Sequence, residues 1–448
     1  MHAPAITDAT SHILADEISF QPHSFADDGG RLFYWKGSLL RGIHPKHTPL
    51  FTRLFSKGVI QNLVERRLLI ETAPTDLCVE GFGMVVSHRV IPFISYPNEW
   101  CAAMLKDAAL NIIDLAIELA DQGLTLKDAH PWNVLFDACR PVYVDLTSIV
   151  PQESESGWPA FDEFCRFCYY PLILMSHGQE RIARALLPEY EGIRREELFT
   201  LIRGSAPSRF VLSKLINRGL RSVKSAFKKR RTARQVAIAL LKNLKADLER
   251  IQSPSYEDRM KPQMVPSLES RSGWTPQQRT VCRILSELRP SAVLDVSRGD
   301  TWSSTLPAAL GYEVVSIDSD PSRVTSVYNT ANEKNLPILP LLVDFIKPTP
   351  SVGYSDHYSI AATERLRCDV VLAFDLANEV ARENHFNVEM IAQGLSAFSK
   401  RWLVAEVSER CGDLTFPLDG FINSLNKRFG YVEVTSIAEG KSLLLCEK

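Results

Sequence analysis

The sequence predicts an α/β protein of two domains, in which a doubly wound and mostly parallel sheet forms the second half. Three observations predict this. After residue 275, strand-length apolar runs alternate with amphipathic segments. Before residue 252, a small β-rich region is followed by a helical region: residues 31–43 predict two strands joined at Lys36 and Gly37, residues 88–97 predict another strand, and residues 104–123 predict a long helix. The 448 residues are also enough to bury two or three separate cores.

Composition limits the class of protein. Hydrophobic residues make up 45% and charged residues 23%, which is ordinary globular usage. The net charge of -2 provides no overall attraction to nucleic acid, so a nucleic-acid partner is not expected. The N-terminus lacks the basic and apolar regions of a signal peptide, and nine scattered cysteines suit a reducing compartment. A cytoplasmic protein is therefore expected.

The chain divides at a stretch rich in proline and serine. We expect a flexible N-terminus over residues 1–20, a first domain over 21–251, a linker over 252–275 and a second domain over 276–448. No internal repeat is visible.

The second half contains five compact apolar runs of strand length. They are SAVLDV (291–296), YEVVSID (312–318), LPLLVDF (339–345), CDVVLAFD (368–375) and RWLVAEV (401–407). Amphipathic segments between the runs predict a parallel sheet with crossover helices. The terminal runs YVEVTSI and SLLLCEK flank an AEGK turn, so the sheet should end in an antiparallel hairpin.

The ends of the first two runs predict a nucleoside site. Asp295 precedes the turn SRGDTWSS, and Asp318 ends the next run 23 residues later. In open α/β sheets the first strand-to-helix turn brings backbone N–H groups to the ligand, and an acid after the next strand accepts hydrogen bonds from ribose hydroxyls.

This half resembles the class I S-adenosylmethionine-dependent methyltransferases, which have a seven-stranded Rossmann-like sheet with a terminal antiparallel hairpin. The resemblance implies S-adenosyl-L-methionine as cofactor. It also implies that Asp295 anchors the cofactor loop, which contains Ser297, Gly299 and Thr301. By the same resemblance, Asp318 holds the ribose hydroxyls, Asp344 lies near the adenine and Asp375 faces the site of methyl transfer.

The loop departs from the family pattern. Ser297 and Thr301 stand where two glycines are expected, and a β-branched threonine is costly wherever the turn needs positive φ. A side chain there also takes space that the methionine moiety needs, so a fold that no longer binds cofactor is one alternative. The sequence does not indicate a catalytic base, because His357 and His385 are expected to be surface loop residues.

The stretch LKDAHPWNVLF (126–136) predicts a phosphoryl-transfer loop in the first half. Asp128 and Asn133 have the D-x-x-x-x-N spacing of kinase catalytic loops, and Asp145 ends the later run RPVYVD. The pattern resembles aminoglycoside-phosphotransferase-like kinases. That resemblance implies a kinase-like α+β domain using Mg-ATP, with Asn133 and Asp145 as metal ligands.

The kinase-like pattern is incomplete. No G-x-G-x-x-G occurs near residues 20–45, and Arg41 stands where a nucleotide-clamping lysine is expected. The alternative interpretation is that Asp128 and Asn133 only stabilise the loop through hydrogen bonds to the backbone.

Residues 209–250 form a basic helical segment, with thirteen Lys or Arg against two acids. Such a face predicts peripheral contact with an anionic membrane, although a solvated helical hairpin explains the same pattern. Aromatic residues for base stacking do not interleave with the charges.

Together the two halves resemble a family of bacterial two-domain proteins, in which a kinase-like region precedes a class I methyltransferase domain. Members include a rhizobial host-specific nodulation protein. The resemblance implies methyl transfer to a small hydroxylated or glycan-type acceptor, in nodulation signal production. The alternatives are a small-molecule kinase using Asp128, Asn133 and Asp145, and a non-catalytic scaffold. Oligomeric state cannot be read from the pattern.

Overall fold

The computed structural model describes residues 11–21, 27–152, 158–202, 233–252, 268, 273–298, 301–353, 358–384, 386–411 and 414–448. The chain forms two compact units. Unit 1 consists of Met1–Pro92, Leu105–Leu135 and Pro141–Ser253, and unit 2 consists of Phe93–Met104, Phe136–Arg140 and Pro254–Lys448. The change of unit after Ser253 falls inside the predicted linker.

Unit 1 contains an antiparallel five-stranded sheet of order β2-β3-β4-β7-β5. The first strands of the chain are β1 Ser11–Ile13, β2 Ser19–Phe20, β3 Gly30–Trp35, β4 Ser38–Ile43, β5 Thr72–Pro74, β6 Leu77–Val79 and β7 Met84–His88. As predicted, β3 and β4 form a hairpin at Lys36 and Gly37, whose φ angles of 46° and 79° match a tight turn between twisted strands. Strand β1 pairs with β6, so residues 11–13 of the predicted flexible N-terminus are ordered by a sheet contact.

Two short strand pairs frame the polar loops of the first half. Strands β8 Leu124–Leu126 and β11 Ile149–Pro151 pair antiparallel, and β9 Val134–Asp137 pairs with β10 Arg140–Tyr143. Among the described residues up to 252, the helices are α1 Thr48–Ser56, α2 Val59–Glu65, α3 Ala102–Asp121, α4 Phe161–Phe164, α5 Tyr170–Ser176, α6 Glu180–Leu186, α7 Arg195–Leu201 and α8 Ala233–Arg250. A π-helical turn, Cys165–Tyr169, joins α4 to α5. The long helix predicted over 104–123 is α3. Of the basic segment, residues 209–232 lie outside the described part.

The strand predicted over residues 88–97 does not form. Strand β7 ends at His88, and the following residues lead into a short 3-10 turn, Pro97–Glu99. Pro92 and Pro97 cannot donate ladder hydrogen bonds, so the apolar run continues outside a sheet. Residues 93–104 instead belong to unit 2.

Unit 2 is built on a seven-stranded sheet of order β14-β13-β12-β15-β16-β20-β19. Five strands occupy the predicted runs, and strand β20 is antiparallel to both of its neighbours. Their bounds are β12 Ala292–Asp295, β13 Glu313–Asp318, β14 Ile338–Leu342, β15 Cys368–Ala373, β16 Ser399–Ser408, β19 Tyr431–Ala438 and β20 Lys441–Glu447, with a separate short pair β17 Arg410–Cys411 and β18 Leu414–Thr415. The predicted sheet and its terminal hairpin are confirmed.

Seven helices of unit 2 accompany this sheet. They are α9 Pro276–Leu288, α10 Trp302–Ala309, α11 Pro321–Lys334, α12 Ala362–Arg365, α13 Leu376–Asn384, α14 Val388–Phe398 and α15 Leu418–Asn426. Strand order reverses between β12 and β15, and ligands of such sheets bind in the crevice at that switch point. Within the described residues, no helix is both long enough and apolar enough to cross a membrane.

A buried ion pair ties residues 93–104 into unit 2. The guanidinium of Arg365 is paired with the carboxylate of Glu99, and the two side chains are 3% and 0% exposed. Arg365 also donates to the carbonyls of Ile94 at 2.6 Å and Ile360 at 3.0 Å. The Ile360 N–H donates to the Tyr96 hydroxyl at 2.9 Å. These bonds satisfy charges that burial would otherwise penalise.

Replacing Arg365 with leucine is expected to lower the free energy of unfolding of unit 2 by about 3–5 kcal/mol, because Glu99 keeps a buried charge without its cation. Arg401→Leu is the matched control, because the Arg401–Glu447 pair is exposed and should contribute at most about 1 kcal/mol. Urea unfolding followed by circular dichroism measures both. Equal losses in the two variants would contradict the assignment.

Candidate functional site

The carboxylate of Asp295 organises the first turn of unit 2. Its side chain is buried at the end of β12. One oxygen accepts the Ser297 N–H at 2.9 Å, and the other accepts the hydroxyls of Ser303 at 2.7 Å and Ser304 at 2.5 Å. The same carboxylate therefore fixes both the loop after β12 and the first turn of α10. Cofactor binding through this loop stays a prediction.

The loop is also bonded to the end of β15. The Phe374 N–H donates to the Ser297 hydroxyl at 3.0 Å, and the Arg298 N–H donates to the Phe374 carbonyl at 2.9 Å. The rings of Trp302 and Phe374 stack with centroids 5.1 Å apart. The backbone of residues 297 and 298 is consequently held across the switch point.

Thr301 adopts ordinary backbone geometry, with φ of -79°. The cost expected from a threonine at positive φ therefore does not arise here. The Thr301 hydroxyl is buried and has no hydrogen-bond partner among the described residues. It lies at the N-terminus of α10, where backbone N–H groups and the helix dipole favour an anionic ligand group.

The predicted ribose acid, Asp318, lies at the end of β13 between two arginines. Its Oδ1 is 2.7 Å from Arg298 Nη1 and accepts the Asp320 N–H at 2.8 Å. Its Oδ2 is 3.3 Å from Arg323 Nη1. Burial raises the pKa of Asp318, and the two guanidinium charges oppose that shift. Neither arginine was predicted from the sequence, although Arg298 lies within the predicted turn.

Asp344 and Asp375 follow the ends of β14 and β15. Asp344 Oδ1 accepts the Ile346 N–H at 2.9 Å, and its side chain is half-buried. Asp375 is exposed and has a φ of 57° in the left-handed region, which aspartate tolerates better than most residues. Both carboxylates thus lie at the same sheet edge as Asp295 and Asp318.

A third buried carboxylate at this edge, in addition to Asp295 and Asp318, was not predicted. Glu406 of β16 is 1% exposed, accepts a hydrogen bond from Lys441 at 2.8 Å and another from Gln277. Burial raises the pKa of Glu406, the Lys441 ammonium opposes the shift, and Asp375 adds to it. The sequence signal is a single glutamate inside an apolar strand, which is rarely buried without a partner.

Three predicted positions lie outside the described residues. They are Gly299, His357 and His385.

In unit 1 the predicted kinase-type loop is held by backbone contacts of Asp128. The Asp128 carbonyl accepts the Tyr143 hydroxyl at 2.9 Å, and the Asp128 N–H donates to the Ser148 hydroxyl at 3.0 Å. Burial raises the pKa of the Asp128 carboxyl, and the nearby Glu163 charge adds to the shift. The next residue, Ala129, donates its N–H to Glu163 at 2.6 Å.

The two predicted metal ligands of unit 1 have protein partners. The Asn133 amide donates to the Tyr143 hydroxyl at 3.2 Å. Asp145 accepts from the Thr147 hydroxyl at 2.8 Å and lies 3.2 Å from Arg41, which is 4% exposed. The same Arg41 atom is 2.6 Å from Asp27. Among the described residues no group of three or more His, Cys, Asp or Glu side chains is arranged to hold a metal ion.

Replacing Asp295 with alanine is expected to lower the free energy of unfolding of unit 2 by about 3 kcal/mol, because three buried donors lose their acceptor. Asp369→Ala is the matched control. Asp369 also accepts two hydrogen bonds from Ser291, but water can replace it at its partly exposed position, so a loss below about 1 kcal/mol is expected. Urea unfolding measures both, and a small loss for Asp295→Ala would contradict its organising role.

Comparison with known proteins gives one extended sequence similarity. Nodulation protein NoeA of Rhizobium meliloti (strain 1021) is 24% identical over 375 residues, which cover 80% of this chain and 78% of NoeA. No protein-family model matches the sequence.

Solved structures match only part of the chain. Magnesium protoporphyrin IX methyltransferase (ChlM) from Synechocystis PCC 6803, with bound SAM, is 17% identical with a TM-score of 0.27, covering 39% of this chain and 80% of ChlM. TehB from Haemophilus influenzae is 17% identical with a TM-score of 0.27, covering 40% of this chain and 63% of TehB. The fold of unit 2 is therefore assigned from its strand order alone.

In that order the antiparallel strand β20 lies between β16 and β19, which are the fifth and sixth strands of the sheet in chain order, and the other strands are parallel. It is the arrangement implied by the resemblance to class I methyltransferases. The chain is similar to nodulation protein NoeA over 80% of its length, and its second unit has the strand order of the class I methyltransferase fold.

Proposed function

We propose that unit 2 binds S-adenosyl-L-methionine and transfers its methyl group to a small hydroxylated or glycan-type acceptor. One observation carries the proposal. The loop after β12 and the acids after β13, β14 and β15 all lie at the carboxyl edge of one sheet, around the point where strand order reverses. Ligands of open α/β sheets bind at that place.

The residues at this edge fit the parts of the cofactor. In the proposed complex Asp318 accepts hydrogen bonds from the ribose hydroxyls, and Asp344, one strand further on, lies near the adenine. The hydroxyl of Thr301, which has no partner among the described residues, lies at the N-terminus of α10 and suits the carboxylate of the methionine moiety.

When bound, S-adenosyl-L-methionine supplies a methyl group already activated on a sulfonium. The chain's contribution is then chiefly to align the acceptor with that group. Asp375 lies on the β15 side of the switch point, and its side chain is exposed. In the proposed complex its carboxylate accepts a hydrogen bond from an acceptor hydroxyl and orients it.

The proposed acceptor class and pathway are inferred from sequence similarity to other proteins. The sequence pattern of the first half resembles kinases that recognise hydroxylated small molecules, and the sequence similarity to NoeA connects the chain with nodulation. We therefore place the activity in host-specific nodulation signal production.

Calorimetric titration with S-adenosyl-L-methionine and S-adenosylhomocysteine tests the proposal. Micromolar binding is expected, and Asp318→Ala should weaken it by tenfold or more because the ribose loses a charged acceptor. Asp369→Ala, at the opposite end of β15, should bind like the unaltered chain. No binding by the folded unaltered protein would refute the methyltransferase proposal.

A small-molecule kinase in unit 1 is the second candidate, and it is supported by the D-x-x-x-x-N spacing of Asp128 and Asn133 and by Asp145 at the end of the later run. Arg41, which lies 3.2 Å from Asp145, stands in place of the nucleotide-clamping lysine that this candidate expects. This candidate predicts Mg²⁺-dependent ATP binding that is lost in Asp145→Ala. A non-catalytic scaffold predicts instead that neither ATP nor S-adenosyl-L-methionine raises the melting temperature, whereas a ligand at 100 times its Kd stabilises by about 2.7 kcal/mol.

A further inference from the structure

The side chain of Arg298 lies across the end of β13, on the carboxylate proposed to hold ribose. Arg298 Nη1 is 2.7 Å from Asp318 Oδ1, and the two side chains are 12% and 5% exposed. Arg298 Nε lies 3.4 Å from the carboxylate of Glu379 on α13. The backbone of Arg298 is bonded to Phe374 and is not free to follow its side chain.

The contact with Arg298 uses hydrogen-bond capacity of Asp318 that a ribose would need. Each carboxylate oxygen has two lone pairs. Asp318 Oδ1 already accepts from Arg298 and from the Asp320 N–H, while Oδ2 faces Arg323 at 3.3 Å. A ribose diol that binds both oxygens therefore needs one donor to leave Oδ1.

Of the two donors to Oδ1, Arg298 is the one that can leave. The Asp320 N–H is part of the backbone at the N-cap of α11. Arg298 projects from a loop, and Glu379 is 34% exposed and already within reach of its guanidinium. Arg298 can thus release Asp318 and keep a charged partner, so no buried cation is left unpaired.

We propose that Arg298 is an autoinhibitory residue that competes with ribose hydroxyls for Asp318. Nucleoside binding then requires the Arg298 side chain to turn away, and the affinity for ribose-bearing ligands is lowered by the cost of breaking the ion pair. The inference rests on the proposed nucleoside site and identifies the residue that sets its affinity. Ligands without the ribose diol do not need Asp318 and do not meet this barrier.

Calorimetric titration of the full-length chain with S-adenosylhomocysteine, adenosine and 2′,3′-dideoxyadenosine tests the proposal. Arg298→Ala should bind S-adenosylhomocysteine and adenosine about tenfold more tightly than the unaltered chain, as expected when one charged hydrogen bond no longer competes. Dideoxyadenosine should show no gain. Because adenosine is neutral, a gain for it does not arise from the change in net charge.

A double-mutant cycle locates the effect at Asp318. The gain from Arg298→Ala should disappear in an Asp318→Asn background, because the residue for which Arg298 competes is altered. Arg283→Ala is the matched control, since it removes an exposed arginine of α9 that contacts Glu287 and not Asp318. Arg298→Gln provides a second variant if the alanine form does not fold, and melting temperatures identify folded proteins.

Two results would overturn the inference, and they separate it from the proposed function. If the unaltered chain binds nucleoside and Arg298→Ala and Arg298→Gln bind it no more tightly, the competition is refuted while the nucleoside site stands. If neither the folded unaltered chain nor either folded variant binds any of the three ligands, both proposals fail.

Discussion

The hydrogen bonding of the Asp295 carboxylate is the constraint on which the rest of the carboxyl edge depends. It accepts one backbone donor from the loop and two hydroxyls from α10 at a buried position. A charge at such a position persists only when its oxygens are satisfied. Because these bonds fix both the loop and the helix start, they determine where Ser297, Arg298 and Thr301 lie.

The acids at this edge illustrate two ways of stabilising a buried carboxylate. Asp295 is satisfied by neutral donors, whereas Asp318 and Glu406 are paired with cations. Neutral donors leave a negative charge in place, and cations cancel it. At this edge a fixed loop therefore lies beside two carboxylates that are paired with Arg298 and Lys441. Whether a ligand can bind either carboxylate depends on the position of its cation.

Unit 1 contains a comparable arrangement. Arg41 lies between Asp27 and Asp145, and the loop carbonyl of Asp128 is held by Tyr143. The Asp128 bonds are made by its backbone, and the Asn133 amide bonds a side-chain hydroxyl, so these contacts differ from the side-chain to backbone bonds that the structural interpretation of the loop predicted. Burial raises the pKa of the Asp128 carboxyl, and a raised pKa suits a group that exchanges protons.

The sequence by itself determined the strands of the second half, the terminal hairpin and the helix α3, because apolar periodicity and turn residues are local signals. It also placed an acid at or just after the end of each of the first four strands of that half. Tertiary structure alone decided which charges meet: Arg298 with Asp318, Lys441 with Glu406, and Arg365 with Glu99. These partners are 20, 35 and 266 residues apart in the chain. Strand order and burial brought them together, and neither follows from local pattern.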